Sequence, residues 1–283
     1  MLSESWKTIP WACPSCRSAI GTDLVCGCGH NGYQLNGMIY LHRNDESWEQ
    51  CMVERNGWIG RTKEVGLYRE NPDHFYLPDR LPHLKEFYAE SKAHIDAFAK
   101  HENLKGKVCL DIGATIGWVE AYLMETYPET TFIALEVNDD DLCGLGRSNA
   151  IKQKSGFDFV SLVADMHHMP LQDNSIDVVF SIDALHHFRD MSTVFAEVHR
   201  VLKSAGTFYG VNEPDRPDDT VEADYIKEYA EIELRHNIIE RRPTLREYSQ
   251  AGALLNVRAI NDEVGLIHRV DTAGLLLKGQ KPR

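Results

Sequence analysis

The sequence predicts an α/β fold: a mostly parallel sheet of seven strands with helices on both faces, preceded by a small metal-binding module. Three observations carry this. From Lys107 onward, short apolar runs alternate with helical patterns. The first run, VCLDI at Val108–Ile112, ends in an acid and passes into a loop containing Gly113 and Gly117. Four of the seven cysteines fall at positions 13, 16, 26 and 28.

Taken in order, the chain opens on the cysteines. Cys13-Pro-Ser-Cys16 is a CxxC knuckle, which sets two thiolates on one side of a tight turn, and Cys26-Gly27-Cys28-Gly29 adds two more beside glycines that let the backbone turn. Four thiolates suit tetrahedral zinc in a closed, structural site. His30 is near enough in sequence to replace Cys28 as fourth ligand. A cluster of free buried cysteines is the alternative. The module is placed at residues 1–42.

Residues 43–104 read as a linker and helical cap. Asn44–Glu49 and Asn71–Pro82 are rich in charge, Asn and Pro, whereas Leu84–Phe98 has the spacing of an amphipathic helix that packs on a sheet. Trp58, Tyr68, His74, Phe75 and Tyr76 are expected either to form a lid or to join the cysteine module to the main domain.

The main domain is placed at residues 105–283. Its strands are expected at Val108–Ile112, Thr131–Glu136, Asp158–Val163, Ile176–Ser181, Thr207–Asn212, Ala253–Ile260 and Ala273–Lys278, with helices such as Val119–Glu125, Asp140–Lys154 and Met191–Val201 between them. Strands separated by helices of this length imply right-handed crossovers, and a ligand then sits beyond the carboxyl ends of the strands. The residues to inspect are therefore Asp111, Gly113, Ala114, Thr115 and Gly117 after the first strand, Glu136 and Val137 after the second, Asp165 and Met166 after the third, and Ser181 at the end of the fourth. A carboxylate such as Glu136 can accept two hydrogen bonds from a ribose.

These residues carry a resemblance. DIGATIG at 111–117 is similar to the D-x-G-x-G-x-G loop of class I S-adenosylmethionine-dependent methyltransferases, with Thr115 in place of the middle glycine. ADMHHMPLQDNSIDVVF resembles that family's D-x-x-x-L-P-F-x-D-x-S-F-D-x-V segment. VLKSAGTFYGV looks like its helix–turn–strand, with Gly206 closing a helix. The resemblance implies a Rossmann-like seven-stranded methyltransferase sheet. It also implies S-adenosylmethionine as cofactor, with Asp165 accepting from the adenine amino group and the Met166 backbone meeting a ring nitrogen. Asp173, Ser175 and Asp177 would build a turn, and His167 and His168 would be surface or loop residues. CPSCRSAI…LVCGCGHNGYQL resembles the zinc ribbons of methyltransferase activators and, with Cys26 and His30, those of rRNA guanine methyltransferases.

Methyl transfer needs alignment and, for weakly acidic nucleophiles, a base. Candidates are His186 and His187 in ALHHF and Glu213 in VNEP, with Tyr225, Tyr229, His236 and Arg242 as possible acceptor contacts. A net charge of −13 disfavours phosphate backbones, so a small-molecule acceptor, a sugar or specialised metabolite, is expected. An rRNA guanine substrate, gripped by a basic face of Lys7, Arg17, Arg43, Arg55, Arg61 and Lys63, and a cofactor-binding protein without transfer activity are the alternatives. The absence of a long apolar run or signal pattern gives the expectation of a cytoplasmic protein with no membrane partner, monomeric or homodimeric.

Overall fold

The structure is a computed structural model that describes residues 4–66, 85–268 and 274–283, side chains at 4, 85–90 and 227–229 excepted. Its strands are β1 (Tyr33–Leu35), β2 (Met38–Tyr40), β3 (Val108–Ile112), β4 (Thr131–Glu136), β5 (Val160–Val163), β6 (Ile176–Ile182), β7 (Leu202–Glu213), β8 (Arg258–Ala259) and β9 (Leu275–Gln280). They form one sheet in the order β1-β2-β5-β4-β3-β6-β7-β9-β8. The block from β2 to β7 is parallel, and β1, β9 and β8 pair antiparallel. The chain reverses winding direction beside β3, whose neighbours are β4 and β6, so a crevice opens there above the strand ends.

Among the described residues nine strands stand where seven were expected. The hairpin β1–β2, read as part of the cysteine module, joins the sheet through Ile39↔Leu162 and Tyr40↔Val163. Its three buried residues Met38, Ile39 and Tyr40 need a covered edge, which β5 supplies. Ala253–Ile260 is not one strand: a 3-10 turn at Ala253–Leu255 precedes the short β8. Gly206 does not close a helix either. The helix ends at Val201, and Leu202–Glu213 is a strand whose register slips between Ile176↔Leu202 and Val178↔Thr207.

The helices are α1 (Glu46–Val65), α2 (Lys85–Glu102), α3 (Trp118–Met124), α4 (Ser148–Ser155), α5 (Met191–Val201), α6 (Glu222–Tyr229), α7 (Glu231–Arg235), α8 (Leu245–Ala251) and α9 (Asn261–Val264). The helix expected from Asp140 begins only at Ser148. Asn138 and Asp140 capture the backbone N–H groups of Asp140 and Leu142 and hold a turn instead. α1 was not anticipated; Asp45 caps it and Gly66, at φ 69°, ends it.

The sheet has a core on each face. Leu110, Ile133 and Leu162 pack with Val194, Phe195 and Val198 of α5 and with Trp6, Ile9 and Trp11. Cys109, Phe132 and Ala134 pack with Ile95 and Phe98 of α2 and Val119 and Leu123 of α3. Burying each such side chain contributes roughly 1.5–3 kcal/mol, which fixes the strand ends that carry the site. Among the described residues no helix is long and apolar enough to cross a membrane.

Candidate active site

A cavity of about 550 Å³ lies over the carboxyl ends of β3, β4, β5 and β6. Its floor is built from Asp111, Gly113, Ala114, Thr115, Glu136, Val137, Asp165 and Met166, all expected from the sequence. Gly113 sits at φ 82°, and a Cβ there would stand 2.8 Å from that of Ala184, so this turn admits only glycine. Thr115 adopts φ 49°, the left-handed conformation for which a glycine is usual. Gly117 and Ser181 lie off the cavity. A Cβ on Gly117 would collide with Phe159 at 2.6 Å, so that glycine serves helix packing. Ser181 is fully buried and donates to the Ile112 carbonyl at 3.0 Å.

Glu136 is the most constrained of the floor acids. Its Oε1 accepts from the backbone N–H of Val137 (2.7 Å) and Asn138 (3.0 Å), and its Oε2 from that of Thr115 (3.1 Å). Burial pushes its pKa up, against these three donors. Asp111 is buried, and its Oδ1 has no hydrogen-bond partner among the described residues. Burial, then the charge of Glu120, raises its pKa well above the ordinary range, while burial brings Glu120 to about 7.

Asp165 sits in a relay the sequence did not disclose. Its Oδ1 accepts from the backbone N–H and the ring Nδ1–H of His167, and its Oδ2 from the hydroxyl of Ser47 on α1. Arg189 donates to Ser47, and the Asp190 N–H donates to His167 Nε2, which fixes the ring tautomer. Burial would raise the Asp165 pKa, but the bonds to His167 and Ser47 bring it to about 2. His167 is thus a buried partner and not a surface residue. An adenine amino group would share an oxygen already engaged. Asp177, expected to be structural, accepts from the Val108 N–H at 2.9 Å and pairs with Lys203.

The opposite wall comes from segments remote in sequence: Cys51, Glu54, Trp58, Arg61, Thr62 and Val65 of α1, Glu233 of α7, and Glu240. Of these, the sequence singled out only Trp58, considered for a lid, and Arg61, considered for an RNA-gripping face; Tyr68, His74, Phe75 and Tyr76 lie outside the described residues. Gly57 lets α1 approach the end of α7 closely, since a Cβ there would meet the His236 carbonyl at 2.3 Å. Burial, reinforced by the charge of Glu136, pushes Glu54 up to about 8.

The two adjacent histidines part company. His186 is buried off the cavity lining, its Nδ1–H on Glu213 Oε2 at 2.9 Å, while Glu213 Oε1 accepts from the Ala184 and Leu185 N–H groups. Burial opposes charge on the ring, but Glu213, Asp183 and Glu240 outweigh it and raise the pKa to about 9. His187 lines the cavity. Its Nδ1–H is given to the Ile239 carbonyl at 2.6 Å, and Trp58 meets its ring edge-on at 5.1 Å. Burial, then the neighbouring His186, hold its pKa well below the ordinary value. Of the expected acceptor contacts, His236 pairs with Glu64, and Arg242 binds the Asp215 carbonyl and stacks on Tyr225; none of these lines the cavity. The Tyr229 side chain lies outside the description.

At the other end of the chain, the sulfurs of Cys13 and Cys28 lie 3.6 Å apart and those of Cys16 and Cys26 3.5 Å apart, all four within 4.8 Å of one another. Thiolates 2.3 Å from a tetrahedral zinc stand about 3.8 Å apart, so the four sulfurs fit that ion. His30 is outside the group, its Nδ1 beside the Ser15 hydroxyl.

Comparison with known proteins agrees with this geometry. Residues 110–210 match a family described as a methyltransferase domain. The chain is 31% identical over 147 residues to sterol 24-C-methyltransferase of Schizosaccharomyces pombe, covering 48% of this chain and 37% of that one. It is 30% identical over 144 residues to phthiotriol/phenolphthiotriol dimycocerosates methyltransferase of Mycobacterium tuberculosis, covering 50% and 49%. The chain thus spans about half or less of the curated relatives it matches. Geranyl diphosphate C-methyltransferase of Streptomyces coelicolor shares the fold, with a TM-score of 0.57 over 84% of this chain and 99% of that one at 13% identity. Residues 110–210 are thus similar to methyltransferase domains, and the sheet that contains them shares the fold of a solved methyltransferase.

Proposed function

We propose that the chain methylates a small molecule, drawing the methyl group from S-adenosylmethionine held on the cavity floor. The observation that carries this reading is one cavity with two walls: a floor of acids and backbone donors at the strand ends, and a facing wall of Trp58, Arg61, His187, Glu233 and Glu240. Its volume falls in the range of small-ligand pockets, about 300–1,000 Å³. The residues present fit the cofactor. Glu136 is pinned to receive a ribose, Gly113 leaves room for close backbone approach, and the unpartnered Asp111 Oδ1 awaits a donor. Bound there, the cofactor would supply an electrophilic methyl on a positively charged sulfur.

The residues of this chain align the acceptor, exclude water and activate the nucleophile. His187 is the activating group: with Nδ1–H committed to Ile239, its Nε2 offers a lone pair on the acceptor wall. His186 and Glu213, also considered as catalytic, position it from behind. The four cysteines hold a structural zinc that braces the residues packed on the α5 face.

An RNA substrate is less favoured. Arg17, Arg43, Arg55 and Arg61, four members of the basic face it would use, are paired with Glu197, Asp45, Asp139 and Glu233. Incubating the chain with methyl-labelled S-adenosylmethionine and, separately, metabolite extract or RNA tests the proposal. Label in a small product supports it; label in RNA alone, or cofactor binding without transfer to either pool, overturns it.

A further inference from the structure

The acceptor wall holds a constellation that methyl transfer by alignment does not require. We propose that His186, His187 and Glu240 bind a divalent transition-metal ion of the zinc, cobalt or ferrous class at the edge of the cofactor cavity.

Three features carry this. The 3-10 turn Leu185–His187 sets the two rings side by side, centroids 4.0 Å apart, and one ligand atom from each of His186, His187 and Glu240 lies within 4.8 Å of the others. Each ring also has its Nδ1–H held by an acceptor outside the group: a buried carboxylate, Glu213, at 2.9 Å for His186, and a backbone carbonyl, Ile239, at 2.6 Å for His187. Metal-bound histidines have one N–H fixed in this way so that the other nitrogen presents its lone pair; His186 turns that nitrogen, Nε2, toward Glu240, whereas His187 has Nδ1 nearest Glu240 and would ligate through Nε2. Finally, Glu240 Oε1 stands 3.8 Å from His186 Nε2 and its Oε2 3.4 Å from His187 Nδ1, both longer than the usual hydrogen bond of about 2.7–3.2 Å. Two ligands on one tetrahedral ion with bonds of 2.0–2.1 Å are about 3.4 Å apart. The spacing suits a shared ion better than a direct contact.

The surroundings agree. Asp183 adds negative charge beside His186 and Glu240, and Arg61, the nearby guanidinium, is engaged by Glu233 at 2.6 Å. His187 and Glu240 both face the cavity, so a fourth position opens toward the acceptor, as in catalytic and not structural sites. The donors are nitrogen and oxygen, unlike the all-sulfur cluster at Cys13–Cys28. The role of the ion rests on the methyltransferase reading: when bound, the ion would take the place of the free His187 ring as the activating group, and an acceptor bearing a coordinating oxygen, a hydroxyl or enol, would be held and acidified on it next to the methyl group. Binding of the ion does not depend on that reading.

The test is a cobalt titration of the zinc-loaded full chain, followed by visible absorption, with binding of S-adenosylhomocysteine measured on the same preparation. The expected result is one further equivalent of cobalt with ligand-field bands and no thiolate charge-transfer band. Glu240→Gln should weaken uptake by at least about tenfold, since loss even of an outer partner costs 10–100-fold. X-ray absorption at the cobalt edge of the wild-type chain should show imidazole scattering, which decides the matter should the variant fail to fold. No cobalt beyond the cysteine cluster, an edge spectrum without imidazole, or a folded Glu240→Gln that binds as tightly as wild type would overturn the proposal. A chain that binds S-adenosylhomocysteine but takes up no further cobalt refutes the metal site and leaves the methyltransferase reading standing.

Discussion

Replacing Glu136 by glutamine should separate cofactor binding from stability. The carboxylate spends Oε1 on the N–H groups of Val137 and Asn138 and Oε2 on that of Thr115. A glutamine oxygen can serve the first pair, but its NH2 group cannot accept from Thr115 and meets that N–H donor to donor. One hydrogen bond to a charged acceptor is lost, together with a ribose acceptor, each change worth about 1.5–3 kcal/mol. A single such loss corresponds to a roughly 10- to 100-fold weaker Kd. Stability should change far less, because the variant no longer buries a charge that burial disfavours. Glu136→Ala should instead destabilise by several kcal/mol, since three backbone donors lose their acceptor at about 1–3 kcal/mol each. Calorimetric titration with S-adenosylhomocysteine, beside thermal melts of the three proteins, reads both quantities. A Glu136→Gln variant that binds within twofold of wild type would refute the reasoning.

Other predictions bear on separate parts of the structure. Gly113→Ala should cost about 2–4 kcal/mol, from the positive φ and the 2.8 Å approach to Ala184, and should abolish cofactor binding; a melt within a degree of wild type would count against the turn as described. Thr115→Gly should stabilise by about 0.5–1 kcal/mol, the relief of a left-handed β-branched residue exceeding the added chain entropy, as measured by denaturant unfolding. Cys16→Ser should lose the tightly held equivalent of zinc in elemental analysis and lower the melting temperature, whereas His30→Ala should keep the metal. Glu54 ionises near 4.5 when unfolded and near 8 when folded, so the unfolded chain sheds its proton first and stability falls as pH rises across that interval. In the cofactor-free protein, Glu54→Gln should therefore be more stable than wild type at pH 8 and no more stable at pH 5.

What was legible in the sequence were the elements with a continuous apolar run or a clear apolar helical stripe. Val108–Ile112, Thr131–Glu136 and Met191–Val201 stand in the structure with the bounds their apolar patterns imply, and the floor acids follow from them. α1 escaped because its buried positions are Cys51, Gly57 and Thr62, which make no apolar stripe. With it went the acceptor wall, since Glu54 and Arg61 acquire meaning only when α1 packs beside α7 and the cavity. Ser47 and His167, which engage Asp165, were hidden for the same reason: their partner is 118 residues away in one case and a ring orientation in the other. The doublet His186–His187 was visible, but which ring faces the ligand depends on Glu213 and Ile239, supplied by a neighbouring strand and a distant loop. For Asp111, the acid was legible, whereas its isolation beside Glu120 depends on how α3 sits over β3.

The most direct measurement is a crystal structure of the chain grown with S-adenosylhomocysteine. The account predicts density in the cavity with ribose hydroxyls on Glu136, the adenine between Val137 and Met166 near Asp165, and the sulfur directed toward the wall of Trp58, His187 and Glu240. Density elsewhere on the molecule, or a cavity in which Glu136 touches no part of the ligand, would contradict it.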